Sequence, residues 1–389
     1  WYAIVGPPGA GKTTALLNSG LRFPLAGRHG PQALSGVGGT RNCDWWFTDN
    51  AVILDTAGRY TTQDSAADVD KAGWQNFLKL LKDTRPRQPL NGVLLVFGLT
   101  DLLGLSATER TAHARAVRTR LIELQEAFGV RLPVYLLFTK LDLLAGFADY
   151  YDDLDKDSRE QVLGFTFPLD DSGRGDAPWR KFGEYFDRLL ARMDGRLPER
   201  LHVEADQARR ASSFGFPAQF ASLKQPVADL IGEAFDDSRF AQRPMLRGVY
   251  FASATQEGTP IDRLMGALSA RFGTPRAAVA AQVNAGRGYF LRRLFTDVVF
   301  NEAGLVGRNP ATEKRRTLLR TAGFAAAAVV AIGLIGAWTW SFLGNRGLID
   351  RTADAAVSVE DEIRRAQALP LSGDPMPVLP LLDKLRALP

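Results

Sequence analysis

The sequence predicts an α/β fold with a mostly parallel sheet and flanking helices, and three observations carry that expectation. Three apolar runs, Tyr2-Ala3-Ile4-Val5, Gly92 to Gly98 and Pro133 to Phe138, read as strands buried on both faces. Between the last two, Ala107 to Phe128 has helical spacing. The first run opens directly into a glycine-rich loop, Gly6-Pro7-Pro8-Gly9-Ala10-Gly11-Lys12-Thr13.

That loop fits G-x-x-x-x-G-K-[ST] in the order strand, loop, helix, which refines the fold class to a P-loop NTPase of the GTPase-like kind. Amides of Gly6, Gly9, Ala10, Gly11 and Thr14 would face phosphate oxygens, Lys12 would reach the β and γ oxygens, and the Thr13 hydroxyl would ligate Mg²⁺. Downstream, Ala51 to Asp55 reads as a strand ending in an aspartate, followed by Thr56-Ala57-Gly58. Asp55 would hold the metal through water and the Gly58 amide would sense the γ-phosphate. Residues Cys43 to Thr48 and Ala51 to Leu54, separated by Asp49-Asn50, suggest a hairpin feeding the same sheet. Thr40, in the segment before it, is a candidate switch threonine on the metal. Arg59 and Tyr60 stand where Ras-like enzymes carry a water-orienting glutamine. Slow intrinsic hydrolysis is therefore expected, with Gln63 the nearest substitute and Arg59 serving either the nucleotide or a structural carboxylate.

On the base side, Thr139-Lys140-Leu141-Asp142 is similar to the [NT]-K-x-D element of GTPases. There the aspartate accepts from the guanine edge and the lysine stem covers the ring. A strand over Gly248 to Ser253-Ala254 would bring a backbone amide to guanine O6. The expected cofactors are GTP or ATP with Mg²⁺, guanine being preferred.

Composition narrows the class. The chain has 389 residues, 46% of them hydrophobic, which is enough for two or three domains with packed cores. Its formal charge of +5 is spread along the sequence, so no nucleic-acid partner is implied. Cys43 is the single cysteine and excludes an internal disulfide. His29, His113 and His202 lack companions at zinc spacing.

The expected organisation is a nucleotide domain over 1–148, a helical insertion over 149–245, and a return of the nucleotide domain over 246–275. A helical extension with a basic collar covers 276–321, a membrane helix 322–343, and the start of a periplasmic portion 344–389. In the insertion, Pro178 to Leu190 and Phe220 to Phe235 have helical spacing, with Pro217 and Pro226 marking helix starts or breaks. Gly288 to Phe300 is the last helical region before the collar. Ala322 to Leu343 carries no charge and is long enough to cross a ~30 Å hydrocarbon layer. Trp338 and Trp340 suit the far interface, and the basic collar from Lys314 to Arg320 places the preceding residues in the cytoplasm. Asp354 to Leu369 looks like a separate amphipathic helix. The start at Trp1, straight into a strand pattern, reads as a fragment of a longer chain.

Three blocks carry a family resemblance: Gly36 to Phe47, Leu54 to Asp64 and Phe251 to Gly258. Together they resemble the IcmF/TssM family of inner-membrane proteins of bacterial type VI secretion systems. The resemblance implies a homo-oligomeric scaffold in the membrane complex, which contacts TssL and baseplate components on the cytoplasmic side. It also implies a periplasmic domain engaging an outer-membrane lipoprotein. A membrane-anchored signalling GTPase, or a degenerate loop serving only as an interaction scaffold, are the alternatives.

Overall fold

The computed structural model describes residues 1–24, 34–35, 43–62, 67–169, 178–235, 244–254, 288–306, 310–368 and 376–387. Thr40, Gln63 and the part of the nucleotide domain expected at 255–275 lie outside these residues. The chain divides into two compact units, Trp1–Thr312 and Glu313–Pro389.

The first unit is built on a sheet of eight strands among the described residues: β1 (Tyr2–Val5), β2 (Leu34–Ser35), β3 (Cys43–Phe47), β4 (Val52–Thr56), β5 (Gly92–Gly98), β6 (Pro133–Thr139), β7 (Gly164–Thr166) and β8 (Met245–Phe251). Their order is β2-β3-β4-β1-β5-β6-β8-β7. The centre, β4-β1-β5-β6-β8, is parallel throughout, and antiparallel pairs close both edges. The apolar runs of β1, β5 and β6 are buried at every position because helices cover both faces. The β3–β4 hairpin turns at Asp49-Asn50 as expected, with the Thr48 amide donating to the Ala51 carbonyl at 2.9 Å.

The helices are α1 (Lys12–Leu17), α2 (Arg59–Thr62), α3 (Ala67–Thr84), α4 (Leu99–Gly104), α5 (Ala107–Phe128), α6 (Phe147–Tyr151), α7 (Lys156–Arg159), α8 (Phe182–Val203), α9 (Gln207–Ala221) and α10 (Lys224–Phe235). α5 spans the expected residues and starts at a capping box, in which Ser106 and Glu109 satisfy one another's amides. α8 to α10 bury an aromatic cluster against β8. Phe186 stacks on Phe220 at 5.1 Å, and Phe220 meets Phe251 edge-on at 4.9 Å. Each such ring contributes about 2 kcal/mol by removal from water.

Three expectations change. Residues 149–245 are not helical throughout, because β7 pairs antiparallel with β8 and extends the sheet. Pro217 does not break a helix: it is buried inside α9, where tertiary packing outweighs the lost backbone hydrogen bond. Pro226 sits in the first turn of α10, where proline is tolerated. The stretch over Gly288 to Phe300 is only partly helical, and its core, Leu294–Val299, is a π-helical turn.

This stretch and the residues after it span the sheet from one end to the other. Near the carboxyl ends of the strands, Tyr289 and Ser253 exchange backbone hydrogen bonds. At the amino ends, Tyr2 donates to the Val299 carbonyl at 2.8 Å and Asn91 to the Ala303 carbonyl at 2.9 Å. Glu302 accepts from Tyr135 at 2.8 Å and from Arg247 at 2.9 and 2.5 Å.

α11 (Pro310–Gln367) is one continuous helix that begins in the last residues of the first unit and makes up most of the second, followed by α12 (Leu379–Arg386). The expected division at Gly344 is absent, since two isolated glycines at Gly344 and Gly347 weaken a helix without ending it. Its stretch 317–367 is long and apolar enough to cross a membrane, and none of its most apolar window is buried.

Candidate functional site

β1 enters its following loop at Gly6, where a side chain would collide with the Val96 carbonyl of β5, 2.2 Å from the ideal Cβ position. Gly9 and Gly11 turn the loop with φ of 75° and 78°, a left-handed conformation that glycine adopts without penalty. Between them, the buried Ala10 donates to the Pro7 carbonyl at 3.3 Å. The main chain thus wraps round toward the first turn of α1, as a cradle for an anion requires.

Lys12 is buried and its ammonium donates to the carbonyls of Gly6 and Pro7 at 2.8 and 3.0 Å. Burial lowers its pKa, and the nearby Asp55 acts in the opposite direction. Next to it, Thr13 donates to Asp55 Oδ2 at 2.5 Å. Asp55 is 5% exposed, and its other oxygen, Oδ1, has no hydrogen-bond partner among the described residues. Burial raises the Asp55 pKa, the Thr13 hydroxyl and Lys12 lower it, and Asp44 raises it further. An unsatisfied buried carboxylate oxygen is costly, so the position favours a cation or a donor that completes it. Hard oxygen donors such as these two suit Mg²⁺, which is bound through few protein groups.

Gly58 presses against the same loop. A Cβ there would lie 2.4 Å from the Pro8 nitrogen and 2.6 Å from its Cα. The next residue, Arg59, turns away and pairs with the buried Asp70 at 3.0 Å. This contact fits the structural-carboxylate role, one of the two open to Arg59. Thr14 sits in the first turn of α1, where its carbonyl accepts from the Asn18 side chain at 3.0 Å.

The base-side candidates converge with the loop. Thr139, at the end of β6, donates to the Ala10 carbonyl at 2.6 Å, which ties the loop to this strand. Lys140 follows in a left-handed conformation, φ 62°, with its ammonium 3.2 Å from Asp101 of α4. Asp142 accepts from Ser253 Oγ at 2.5 Å, and the neighbouring Ala254 is buried. The expected strand ends at Phe251, so Ser253 and Ala254 lie just past β8 and are held by the Tyr289 bridge.

The structure thus brings together two groups, Lys12, Thr13, Asp55 and Gly58 around the loop, and Lys140, Asp142 and Ser253 beside it, with Thr139 between them. Sequence reasoning missed Asp101 and Tyr289. Asp101 follows β5 at three residues, as Asp142 follows β6, which is the signal that was present. Tyr289 carries none, because its role is made by its backbone.

A family model described as the IcmF-related N-terminal domain matches residues 67–327. Its match begins after the loop of residues 6–13. The type VI secretion system component TssM1 of Pseudomonas aeruginosa is 48% identical over 391 aligned residues, which cover 100% of this chain and 35% of that relative. The chain therefore spans about a third of the length of the relative it matches.

Proposed function

The chain belongs to the IcmF/TssM family, and from that premise we propose that it is a membrane-anchored scaffold of a type VI secretion system whose first unit binds Mg²⁺ and a purine nucleoside triphosphate. The observation that carries the nucleotide reading is the Thr13–Asp55 pair at the exit of the glycine loop, with Asp55 Oδ1 buried and left over. Bound there, Mg²⁺ would neutralise charge on the phosphates, while Thr13 and Asp55 hold it and Lys12 and the loop amides take the anion. Lys12 must first release the Gly6 and Pro7 carbonyls. Asp142, fixed by Ser253, faces the base side and favours guanine over adenine. Arg59 is engaged with Asp70 rather than standing in for the glutamine of Ras-like enzymes, which leaves Gln63 as the nearest substitute and makes turnover slow.

The second unit fits a membrane span: α11 is apolar on all sides over its central part, and a helix of that kind is stable only in hydrocarbon or a protein interior. The basic residues preceding its apolar part support a cytoplasmic location for the first unit. TssL and baseplate components are the proposed cytoplasmic partners, further copies of the chain complete the complex, and a periplasmic domain engages an outer-membrane lipoprotein. A second reading, with the loop as a closed structural turn, is favoured by the two carbonyls that already satisfy the Lys12 ammonium. Equilibrium binding of labelled GTP and ATP to the full chain in detergent, with Lys12→Ala as control, separates the two. The nucleotide reading expects Mg²⁺-dependent binding lost in the variant; equal behaviour of both proteins leaves only the scaffold.

A further inference from the structure

Lys140 is the residue of the base side whose position is least explained by its own neighbours in sequence. It adopts φ 62°, which costs a non-glycine residue about 1 kcal/mol or more unless the surroundings impose it. Its side chain is 13% exposed, so the hydrocarbon stem lies against protein while the ammonium meets the 43%-exposed carboxylate of Asp101. The contact is double, 3.3 Å to Oδ1 and 3.2 Å to Oδ2. Thr100 donates to Asp101 Oδ1 at 3.2 Å and steadies the carboxylate. Gly98, at the end of β5, leaves the room for this arrangement: a Cβ there would sit 2.4 Å from Asp101 Oδ2 and 3.2 Å from Lys140 Cδ.

We propose that Asp101 is a positioning residue for the base subsite, holding Lys140 across the gap between β5 and β6 so that its stem forms a fixed apolar wall beside Asp142. This rests on the nucleotide reading above. The pairing has a chemical consequence. With its charge compensated by Asp101, Lys140 adds little attraction for phosphate, and its contribution is to the flat face of a purine. Asp101 therefore acts on nucleoside recognition and leaves the affinity of the phosphate cradle unchanged. The ligand class is a purine nucleoside triphosphate, with the specific effect confined to its base.

The test measures dissociation constants of the full chain in detergent, with Mg²⁺, for GTP and for inorganic tripolyphosphate, which has the charge of the phosphates and no base. Asp101→Ala, Lys140→Ala and the double variant are compared with the unchanged protein, and Asp101→Asn, which keeps the shape, is added because alanine could disturb the start of α4. Asp101→Ala is expected to weaken GTP about five- to tenfold, the scale of one partly exposed charge-assisted hydrogen bond. Asp101→Asn is expected to fall in the same direction by less. The double variant should bind GTP no more weakly than Lys140→Ala, because Asp101 acts through Lys140. Tripolyphosphate affinity should be unchanged throughout. The proposal is overturned if Asp101→Ala and Asp101→Asn bind GTP like the unchanged protein, if GTP and tripolyphosphate weaken together, or if the two substitutions add. Failure of the nucleotide reading looks different: the unchanged protein then binds neither ligand, and this inference falls with it.

Discussion

The two ends of the central sheet treat polar groups in opposite ways. At the amino ends of the strands, Glu302 takes both Arg247 and Tyr135, Asn91 reaches the Ala303 carbonyl, and Tyr2 reaches that of Val299. Each of those groups has found a partner, although Arg85 Nη1, beside Trp1, is buried without one among the described residues. At the carboxyl ends, a buried Asp55 oxygen has no partner among the described residues, two loop glycines and Lys140 hold left-handed conformations, and Lys12 is occupied only by carbonyls of its own loop. The difference separates stability from chemistry: the long-range pairs at one end clamp the fold, and a carboxylate oxygen left over beside a glycine loop is where a ligand can repay the cost.

The contrast can be broken most forcefully at Glu302. Glu302→Ala leaves Arg247, whose side chain is 5% exposed, without its carboxylate. The expected loss is about 3–5 kcal/mol of unfolding free energy, as when one partner of a buried ion pair is removed. Denaturant unfolding of the first unit within the full chain reads it, and a loss under about 1 kcal/mol would mean that the clamp is not structural.

Next in size is Gly58→Ala. The added methyl meets the backbone of Pro7 and Pro8 from 2.4 Å, so the segment after β4 has to part from the loop. A cost of about 1–3 kcal/mol is expected, together with weaker triphosphate binding. Thermal unfolding and GTP titration of the same preparation check both. Unchanged values in both would show that the segment and loop separate freely.

How much of this was legible in the sequence follows from the range of the interactions. Strands buried on both faces leave uninterrupted apolar runs, so β1, β5 and β6 were readable within a residue or so, and α5 carried its own capping signal at Ser106. The loop of Gly6 to Thr13 was readable because its glycines and its lysine recur at fixed spacing within eight residues, although Thr139, Asp55 and Gly58 reach it from far along the chain. β7 was not, since three residues give no periodicity. Pro217 misled because burial in α9 overrode its local preference. The pairs Lys140–Asp101 and Arg247–Glu302 join positions far apart in the chain, and their residue types alone do not select one another. The join between the expected membrane helix and the amphipathic stretch after it vanished because neither glycine there met a proline or a turn partner that would end a helix.

The smallest expected effect sharpens the comparison through pH. Burial sets the folded-state pKa of Asp55 above that of the unfolded chain, so folding takes up a proton between the two values. Stability of the ligand-free protein therefore falls as pH rises through that interval. Asp55→Asn should flatten this part of the profile, while no corresponding change is expected from Asp55 at lower pH, where both states are protonated. Melting temperatures across the carboxylate range and upward to neutrality test it; parallel profiles for the two proteins would deny that Asp55 is strained by burial.

The central claim is that the open end of the sheet accepts a Mg²⁺-bound triphosphate. Thermal unfolding of the full chain in detergent, with and without Mg²⁺ and GTP in excess over the dissociation constant, measures this as ligand protection. The account predicts a raised unfolding temperature for the unchanged protein and none for Lys12→Ala, with both proteins alike when ligand is withheld. Equal unfolding temperatures with and without ligand in the unchanged protein would contradict it.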